Sequence, residues 1–139
     1  TNVYCALDSR HGKLYGTKGE GLIKANGERR KANGTIKGER IETSHLDIYD
    51  LEEEADGTLY VATYGDGVNI LRWNEAKGTW DKPQVVGSGT KVRDIEIVDS
   101  TLWCGTTTGV LRIDLPTMQT EVIPSYDVRS ICYCQGHLW

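Results

Sequence analysis

DGTLYVATYGDGVNIL, residues 56–71, consists of two short apolar runs on either side of a Gly-Asp-Gly triplet. Runs of β-branched and aromatic residues bounded by Gly and Asp are typical of strands joined by tight turns. Similar stretches, STLWCGTTTGVLRID and GKLYGTKGEGLIKAN, begin at Ser100 and Gly12. The stretch is therefore one copy of a repeat, and the repeat decides the fold.

The length of the repeat is measured by a leucine-aromatic dipeptide that follows a tight turn in each copy. The dipeptides begin at Leu14, Leu59, Leu102 and Leu138, so they recur after 45, 43 and 36 residues. Repeats of this length, with three clear strands and a weaker fourth, are typical of propeller blades. We therefore predict an all-β propeller segment of four-stranded antiparallel blades. A single β-sandwich built from similar hairpins is the alternative.

The chain of 139 residues is predicted to hold three repeats and the opening of another. Their approximate bounds are 2–46, 47–90 and 91–126, with 127–139 opening a further blade. Propellers have about four to eight blades, so this segment forms an incomplete ring. Either further blades of the parent chain or additional copies would complete it. Because the faces of the end blades would be exposed, we expect the segment to self-associate when it is made alone.

Composition argues against two classes of partner. The chain carries 16 Lys and Arg against 20 Asp and Glu, a net charge of −4, which gives no strong attraction to nucleic acid or to an anionic membrane. No apolar run reaches the roughly 18 residues that a membrane span needs. The one basic segment, residues 24–40, has no interleaved aromatic residues that could stack on bases. We expect no nucleic acid and no membrane contact, and we predict a polar hairpin at the outer blade edge for this segment.

Two motifs invite a metal or phosphate interpretation. Phosphate loops lead into a helix, whereas the loop Gly65-Asp66-Gly67 leads into a strand-like run, which favours a hairpin corner. The acidic run YDLEEEADG lacks the spacing of a calcium loop, because Ala62 stands six residues beyond Asp56, where a ligand Glu would be required. We predict no metal site and no cofactor.

Cysteine and histidine patterns give no catalytic arrangement. The four cysteines, Cys5, Cys104, Cys132 and Cys134, lie in strand-like runs without a paired CxxC framework, which favours buried thiols. The histidines are scattered over turns and loops, so no nucleophile, base and acid are brought together by the pattern. We expect no catalytic residues.

Two small residues of the repeat are predicted to serve the fold. The last glycine of the triplet, Gly67, recurs as Gly21 and Gly109, whereas Asp66 does not recur. In the second strand, Ala62 or Gly105 would let a neighbouring sheet come close.

Strand alternation predicts where a ligand would bind. In an antiparallel meander, the loop that enters the first strand and the loop between the second and third strands share one face. In the second repeat this face carries His45, Tyr64 and Asp66.

The innermost strands of a propeller line its channel. Arg93 and Arg129 hold matching positions in VRDI and VRSI, so both are predicted to point toward the channel. An ion pair with Asp94 or Asp127 is the alternative role for these arginines. The predicted ligand-binding set is therefore Tyr64, Asp66, Arg93, His45 and Arg129.

The stretches DGTLYVATYGDGVNILRWN and STLWCGTTTGVLRID resemble the two-component regulator propeller repeat, and VRSICYCQGHLW matches the opening of a further copy. That repeat runs Val-x-x-Ile, an acidic-Gly turn, Leu-Trp-x-Gly-Thr and Gly-Gly-Leu. The first copy departs from it, since LYGT is one residue shorter than LYVAT, so its strand is expected to be bulged or shifted.

The resemblance implies a function. It suggests a segment of the periplasmic or extracellular sensor region of a hybrid histidine kinase, which recognises a small molecule or an oligosaccharide and is not itself an enzyme. The alternatives are a propeller enzyme of lyase or lactonase type and a protein-interaction scaffold. The first is disfavoured because no His or acid recurs on the inner strands, and the second because the Gly-His and Trp-Asp signatures are missing.

Overall fold

The computed structural model describes residues 2–25, 38–131, 133–134 and 137–138. Within these residues the chain forms three four-stranded antiparallel sheets and two short hairpins. The first sheet contains β1 (Asn2–Ser9), β2 (Gly12–Lys18), β3 (Leu22–Ala25) and β4 (Gly38–Ile41). The second contains β5 (Ile48–Glu53), β6 (Leu59–Thr63), β7 (Val68–Leu71) and β10 (Gln84–Val86), and the hairpin of β8 (Trp73–Asn74) and β9 (Thr79–Trp80) lies between its last two strands. The third contains β11 (Val92–Val98), β12 (Thr101–Thr106), β13 (Gly109–Asp114) and β14 (Gln119–Pro124), and the hairpin of β15 (Tyr133–Cys134) and β16 (His137–Leu138) follows.

The all-β prediction is confirmed, and the arrangement of the sheets is consistent with consecutive propeller blades. The first strand of each sheet, β1, β5 or β11, is an edge strand, and β5 contacts both of the others. The three first strands therefore converge, and we call them the inner strands. Among the described residues, no helix is long and apolar enough to cross a membrane.

Two apolar clusters hold the sheets together. One lies between the first and second sheets and includes Leu14, Ile48 and the hairpin residue Trp80. The other lies between the second and third sheets and includes Tyr60 and Ile95. Each cluster draws side chains from both neighbouring sheets, so removal of apolar surface from water stabilises the stack and not each sheet alone.

Small residues on the second strands allow this packing. A Cβ added to Gly16 would lie 2.6 Å from Cγ2 of Ile48 in the next sheet, and one added to Gly105 would lie 2.9 Å from Cγ1 of Val128. Ala62, at the matching position of the second sheet, is fully buried. The predicted close approach is therefore seen at Gly105, although its neighbour there is the segment after β14 and not a sheet, and it is seen between sheets at Gly16, which was not predicted. Larger side chains at these positions would overlap the neighbour.

The register shows that the first repeat is shifted by one residue. Gly16, Ala62 and Gly105 pair with Cys5, Asp50 and Asp94 at the same point of each inner strand. Counted from these residues, Leu14 of the first sheet takes the position of Tyr60 and Trp103 in the others. The alignment on leucine-aromatic dipeptides is therefore wrong by one residue in the first repeat, because LYGT lacks one residue of the strand.

The turn between the second and third strands has one design in all three sheets. A buried threonine donates its hydroxyl to the carbonyl of the recurring glycine: Thr17 to Gly21 at 2.7 Å, Thr63 to Gly67 at 2.9 Å and Thr106 to Gly109 at 2.8 Å. Gly67 has φ +69, and a Cβ there would overlap the carbonyl oxygen of Val86. The recurring glycine thus belongs to the fold, as predicted.

Candidate functional site

Each inner strand contains a β-bulge at the same position. The register skips one residue between Val3 and Cys5, between Ile48 and Asp50, and between Val92 and Asp94. The residues left unpaired are Tyr4, Tyr49 and Arg93. A bulge frees one residue from the ladder and re-aims its side chain, so each sheet contributes one such side chain where the inner strands converge.

These side chains form a continuous row across the three sheets. The rings of Tyr4 and Tyr49 meet edge to face with centroids 4.7 Å apart, and Tyr49 stacks on Tyr64 at 4.6 Å with an angle of 9° between the rings. The guanidinium of Arg93 lies 5.4 Å from the Tyr64 ring centroid, and its Nη2 donates to the Tyr64 hydroxyl at 3.1 Å. We call Tyr4, Tyr49, Tyr64 and Arg93 the inner row. Aromatic pairs of this kind contribute about 0.5–1.5 kcal/mol each beyond area burial, so the row is held in place by its own contacts.

One end of the inner row is rich in charge. Nη1 of Arg93 donates to Asp127 at 2.6 Å, and Nε of Arg129 lies 3.7 Å from the same carboxylate oxygen. The ammonium of Lys91 lies 5.4 Å from the Tyr64 ring centroid. The arginine side chains differ in exposure, 21% for Arg93 and 82% for Arg129. Both arginines therefore pair with Asp127, one of the two ion-pair partners expected for them.

Asp66 has a different setting. Its Oδ1 accepts hydrogen bonds from the hydroxyl of Ser88 at 2.6 Å and from the amide of Gly89 at 3.0 Å. Hydrogen bonds from Ser88 and then Ser44 lower the pKa of Asp66. This carboxylate ties the turn after β6 to the loop before β11.

His45 also packs against that turn. A Cβ on Gly65 would overlap the His45 ring, and Nδ1 of His45 accepts the amide of Asp47 at 3.0 Å. The five predicted site residues therefore fall into two groups. Tyr64, Arg93 and Arg129 share one network, whereas Asp66 and His45 hold loops beside it.

The sequence prediction missed Tyr4 and Tyr49. A signal was present, since VYCA, IYDL and VRDI hold matching positions in the three inner strands, with the bulged residue second in each. The match between VRDI and VRSI was recognised because both contain arginine. The tyrosines become equivalent to Arg93 only when the bulges are seen.

The residue after each bulge joins neighbouring sheets. Oδ2 of Asp50 accepts the amide of Ile95 in the next inner strand at 3.0 Å, and Oδ2 of Asp94 accepts the amide of Ile131 at 2.7 Å. Burial, with a contribution from the neighbouring Asp94, raises the pKa of Asp50 to about 8. In the first sheet Cys5 takes this position, and burial raises its pKa to about 12. The Asp50 carboxylate thus links β5 to β11, which share no backbone ladder, and the Asp94 carboxylate links β11 to the segment that follows β14.

Acidic residues recur on the inner strands, Asp50 with Asp94 and Glu52 with Glu96, so the sequence prediction that no acid recurs there is wrong. Burial raises the pKa of Glu52, and the nearby Glu96 raises it further. In the described part of the chain, no group of three or more His, Cys, Asp or Glu residues is arranged to hold a metal ion. The expectations of no metal, no cofactor and no catalytic residue stay predictions.

Some predicted features lie outside the described residues. They include Cys132, most of the basic segment, residues 26–37, and the side chains of Cys134 and His137. Of the other two cysteines, Cys104 is buried and Cys5 is half-buried. The buried-thiol prediction is therefore confirmed for Cys104, and burial raises the pKa of its thiol.

Comparison with known structures identifies the fold. Nine chains match, and two of these structures are of the extracellular domain assigned to the BT4673 system of B. thetaiotaomicron, described once as hybrid two-component and once as one-component. The TM-scores are 0.65 and 0.63, each at 18% sequence identity, over 95% and 96% of this chain. The chain spans 17% and 18% of the length of those solved chains. No family model and no curated protein matches. The resemblance drawn from the repeats therefore agrees with these structures in fold.

Proposed function

We propose that this chain is a segment of the ligand-sensing region of a two-component signalling protein, located outside the cytoplasm, in the periplasm or beyond the cell. It binds a small molecule or an oligosaccharide along the inner row and catalyses no reaction itself. The fold shared with the extracellular domain of BT4673 supports a sensor role.

The inner row is the observation that carries this proposal. Four side chains from three sheets meet at one surface, and the bulges bring three of them there. Binding sites combine aromatic surface with a few fixed polar groups, and the row has both. Tyr4, 42% exposed, offers aromatic surface at one end, and Arg129, 82% exposed, offers a cation at the other.

The same geometry gives a route from ligand to sheet packing. Tyr49 and Arg93 precede Asp50 and Asp94, whose carboxylates bind the amides of Ile95 on β11 and of Ile131 after β14. A ligand that moves a bulged side chain therefore acts on the hydrogen bond of the next residue, and it favours the arrangement of the sheets to which it binds more tightly. The kinase that receives the signal would lie outside this chain.

The outer face of the third sheet supports a proposal about partners. Trp103 on this face is half-buried, whereas the equivalent Tyr60 and Leu14 are 2% and 0% exposed beneath the next sheet. Ile123 on β14, the edge strand of this sheet, lies on the same face and is 41% exposed. We propose that further sheets of the parent chain, or further copies, cover this surface.

A signalling assay in the full-length receptor tests the function. After a panel of oligosaccharides has identified an activating one, Tyr64→Ala is expected to raise the concentration for half-maximal response about tenfold or more, since it breaks the middle of the row. Tyr126→Ala is the matched control, because Tyr126 is 94% exposed. Equal responses of both variants and the wild type, with equal receptor levels, would reject the inner row as the binding site.

A further inference from the structure

We infer that the charged end of the inner row receives an anionic group of the ligand, and that Asp127 holds this place when no ligand is bound. The ligand class is a carboxylate-bearing saccharide, such as a uronate oligomer. This inference rests on the proposed function and adds the chemistry of the ligand to it.

Charge is unevenly distributed at this end. Lys91, Arg93 and Arg129 lie around Tyr64 and Asp127, and Asp47 lies near Tyr49, so three cations face two carboxylates. Lys91 contacts the Tyr64 ring and forms no ion pair within the described part of the chain. One further carboxylate would balance this cluster more closely, which favours an anionic ligand over a neutral one.

Arg93 is oriented before any ligand arrives. The Tyr64 hydroxyl accepts Nη2 at 3.1 Å, and the Tyr64 ring lies beneath the guanidinium. Nη1 is thereby aimed at the position that the Asp127 carboxylate occupies, 2.6 Å away. A ligand carboxylate has the same planar shape and charge, so it can replace Asp127 without a change in the position of Arg93.

The ion pair to be replaced is a weak one. The Asp127 side chain is 37% exposed and lies outside any strand, between β14 and β15. Ion pairs with this much access to solvent contribute little to stability, so exchange of one carboxylate for another costs little. Asp127 therefore competes with the ligand without preventing its binding.

Displacement of Asp127 from Arg93 affects the segment that leads from Asp127 to Ile131. Asp127 begins the segment that leads to Ile131, and the Ile131 amide is bound by Asp94, the residue after Arg93. Val128 also donates its amide to the Thr106 carbonyl at 2.8 Å. Loss of the Arg93–Asp127 pair removes one of three links between the third sheet and this segment. Ligand occupancy is thus coupled to the position of the element that follows the third sheet.

Calorimetric titration of the complete extracellular region tests the inference. The probes are oligomers of galacturonate, glucuronate and mannuronate, each paired with a neutral hexose oligomer of equal length. We expect a uronate oligomer to bind more tightly than its neutral partner. Arg93→Gln should weaken uronate binding about tenfold or more, the usual effect of losing a hydrogen bond to a charged group, and should weaken neutral binding by a smaller factor. Asp127→Asn should strengthen uronate binding severalfold, because the competing anion is gone.

Two further variants distinguish the exchange of Asp127 for a ligand carboxylate from a general loss of folding. Arg112→Gln is the matched control, since Arg112 also pairs with a carboxylate, Glu121, and lies 5.8 Å from the Trp103 ring centroid. It should bind uronate as the wild type does. Arg93→Lys keeps the charge but loses the planar guanidinium, which can donate two hydrogen bonds to one carboxylate. Its uronate affinity should therefore fall between those of the wild type and Arg93→Gln. The thermal midpoint of each variant shows whether it is folded.

The possible results discriminate between the two proposals. The carboxylate inference is overturned, and the sensor function is left, if a neutral oligomer binds as tightly as its uronate partner and neither Arg93→Gln nor Asp127→Asn changes the ratio of the two affinities. Weaker uronate binding by a folded Asp127→Asn protein overturns the exchange, since Asp127 would then belong to the site. Failure of every saccharide to bind or to activate the receptor overturns both the inference and the saccharide-sensing function.

Discussion

Arg93 on β11 donates to the hydroxyl of Tyr64, which follows β6, across 29 residues of sequence and between two different sheets. The contact joins the second and third sheets at the inner row, where an aromatic ring and a guanidinium fix each other. It is the point at which packing between sheets and the proposed recognition of ligand depend on the same atoms.

Tyr64→Phe should loosen this contact without removing the ring. The Arg93 guanidinium loses one acceptor, and a hydrogen bond of this kind contributes about 0.5–1.5 kcal/mol. Hydrogen exchange of the β11 amides measures the local opening free energy, which should fall by that amount. Tyr126→Phe, at a 94% exposed position, should leave it unchanged. Identical exchange in the two variants would mean that the hydroxyl contributes nothing.

Stability between the second and third sheets should decrease as pH rises. The pKa of Asp50 is about 8 in the native protein against an ordinary value of 3.8, so the folded state holds this proton more tightly than the unfolded chain does. Protonation of Asp50 therefore stabilises the fold fully below about pH 4, and that contribution is lost progressively as pH rises toward and through about 8.

Hydrogen exchange at the Ile95 amide, corrected for its intrinsic rate, measures this loss between pH 5 and pH 8.5. Opening at the higher pH should be easier by about 1 kcal/mol or more. Asp50→Asn should flatten the profile, because its side chain does not titrate. Asp99→Asn changes an exposed carboxylate in the β11–β12 turn and should keep the wild-type slope. If the opening free energy still depends on pH in Asp50→Asn, the titration belongs to another group.

Gly67→Ala should cost more stability than Gly78→Ala. Both glycines have positive φ, +69 and +65, so both substitutions carry similar backbone strain, about 1 kcal/mol. Only at Gly67 does the added Cβ overlap backbone oxygens, those of Val86 and Gly87, whereas Gly78 has no atom within 4 Å. Overpacking of this kind adds about 1–3 kcal/mol. Thermal unfolding of the two variants measures the difference, and equal midpoints would show that the strands move apart without cost.

Residues 1–139 made alone should associate with increasing concentration, because the outer face of the third sheet is open. Sedimentation velocity measures the association. Ile123→Asp should reduce it, since the charge replaces an exposed apolar side chain on that face, and Thr120→Asp on the opposite face of the same strand should not. A monomer at all concentrations, with cooperative unfolding, would contradict the proposed partner surface.

Much of the fold was predictable because each repeat contains the same local pattern of strand and turn residues. Alternating apolar residues and turn glycines specify strands and hairpins over a few residues, so these elements can be recognised in the sequence. Gly67 and Ala62 were placed correctly for that reason. The one-residue shift in the first repeat was misplaced, since leucine and tyrosine suit either face of that strand and only pairing with Cys5 decides the register.

The candidate site was predictable only in part. Tyr64, Arg93 and Arg129 were expected on a shared surface and do share a network, whereas Asp66 and His45 are engaged in holding loops. Tyr4 and Tyr49 were missed. A bulge leaves no mark in composition, and it turns an ordinary strand tyrosine into a residue aimed away from the ladder.

The repeats, the all-β fold and the tight turns at specified glycines follow from the order of the amino acids, because strand and turn preferences act between near neighbours. Which side chains meet depends on how the sheets pack. The inner row and the Asp50 and Asp94 links join residues up to 45 positions apart, and their contacts exist only once apolar burial has brought the inner strands together.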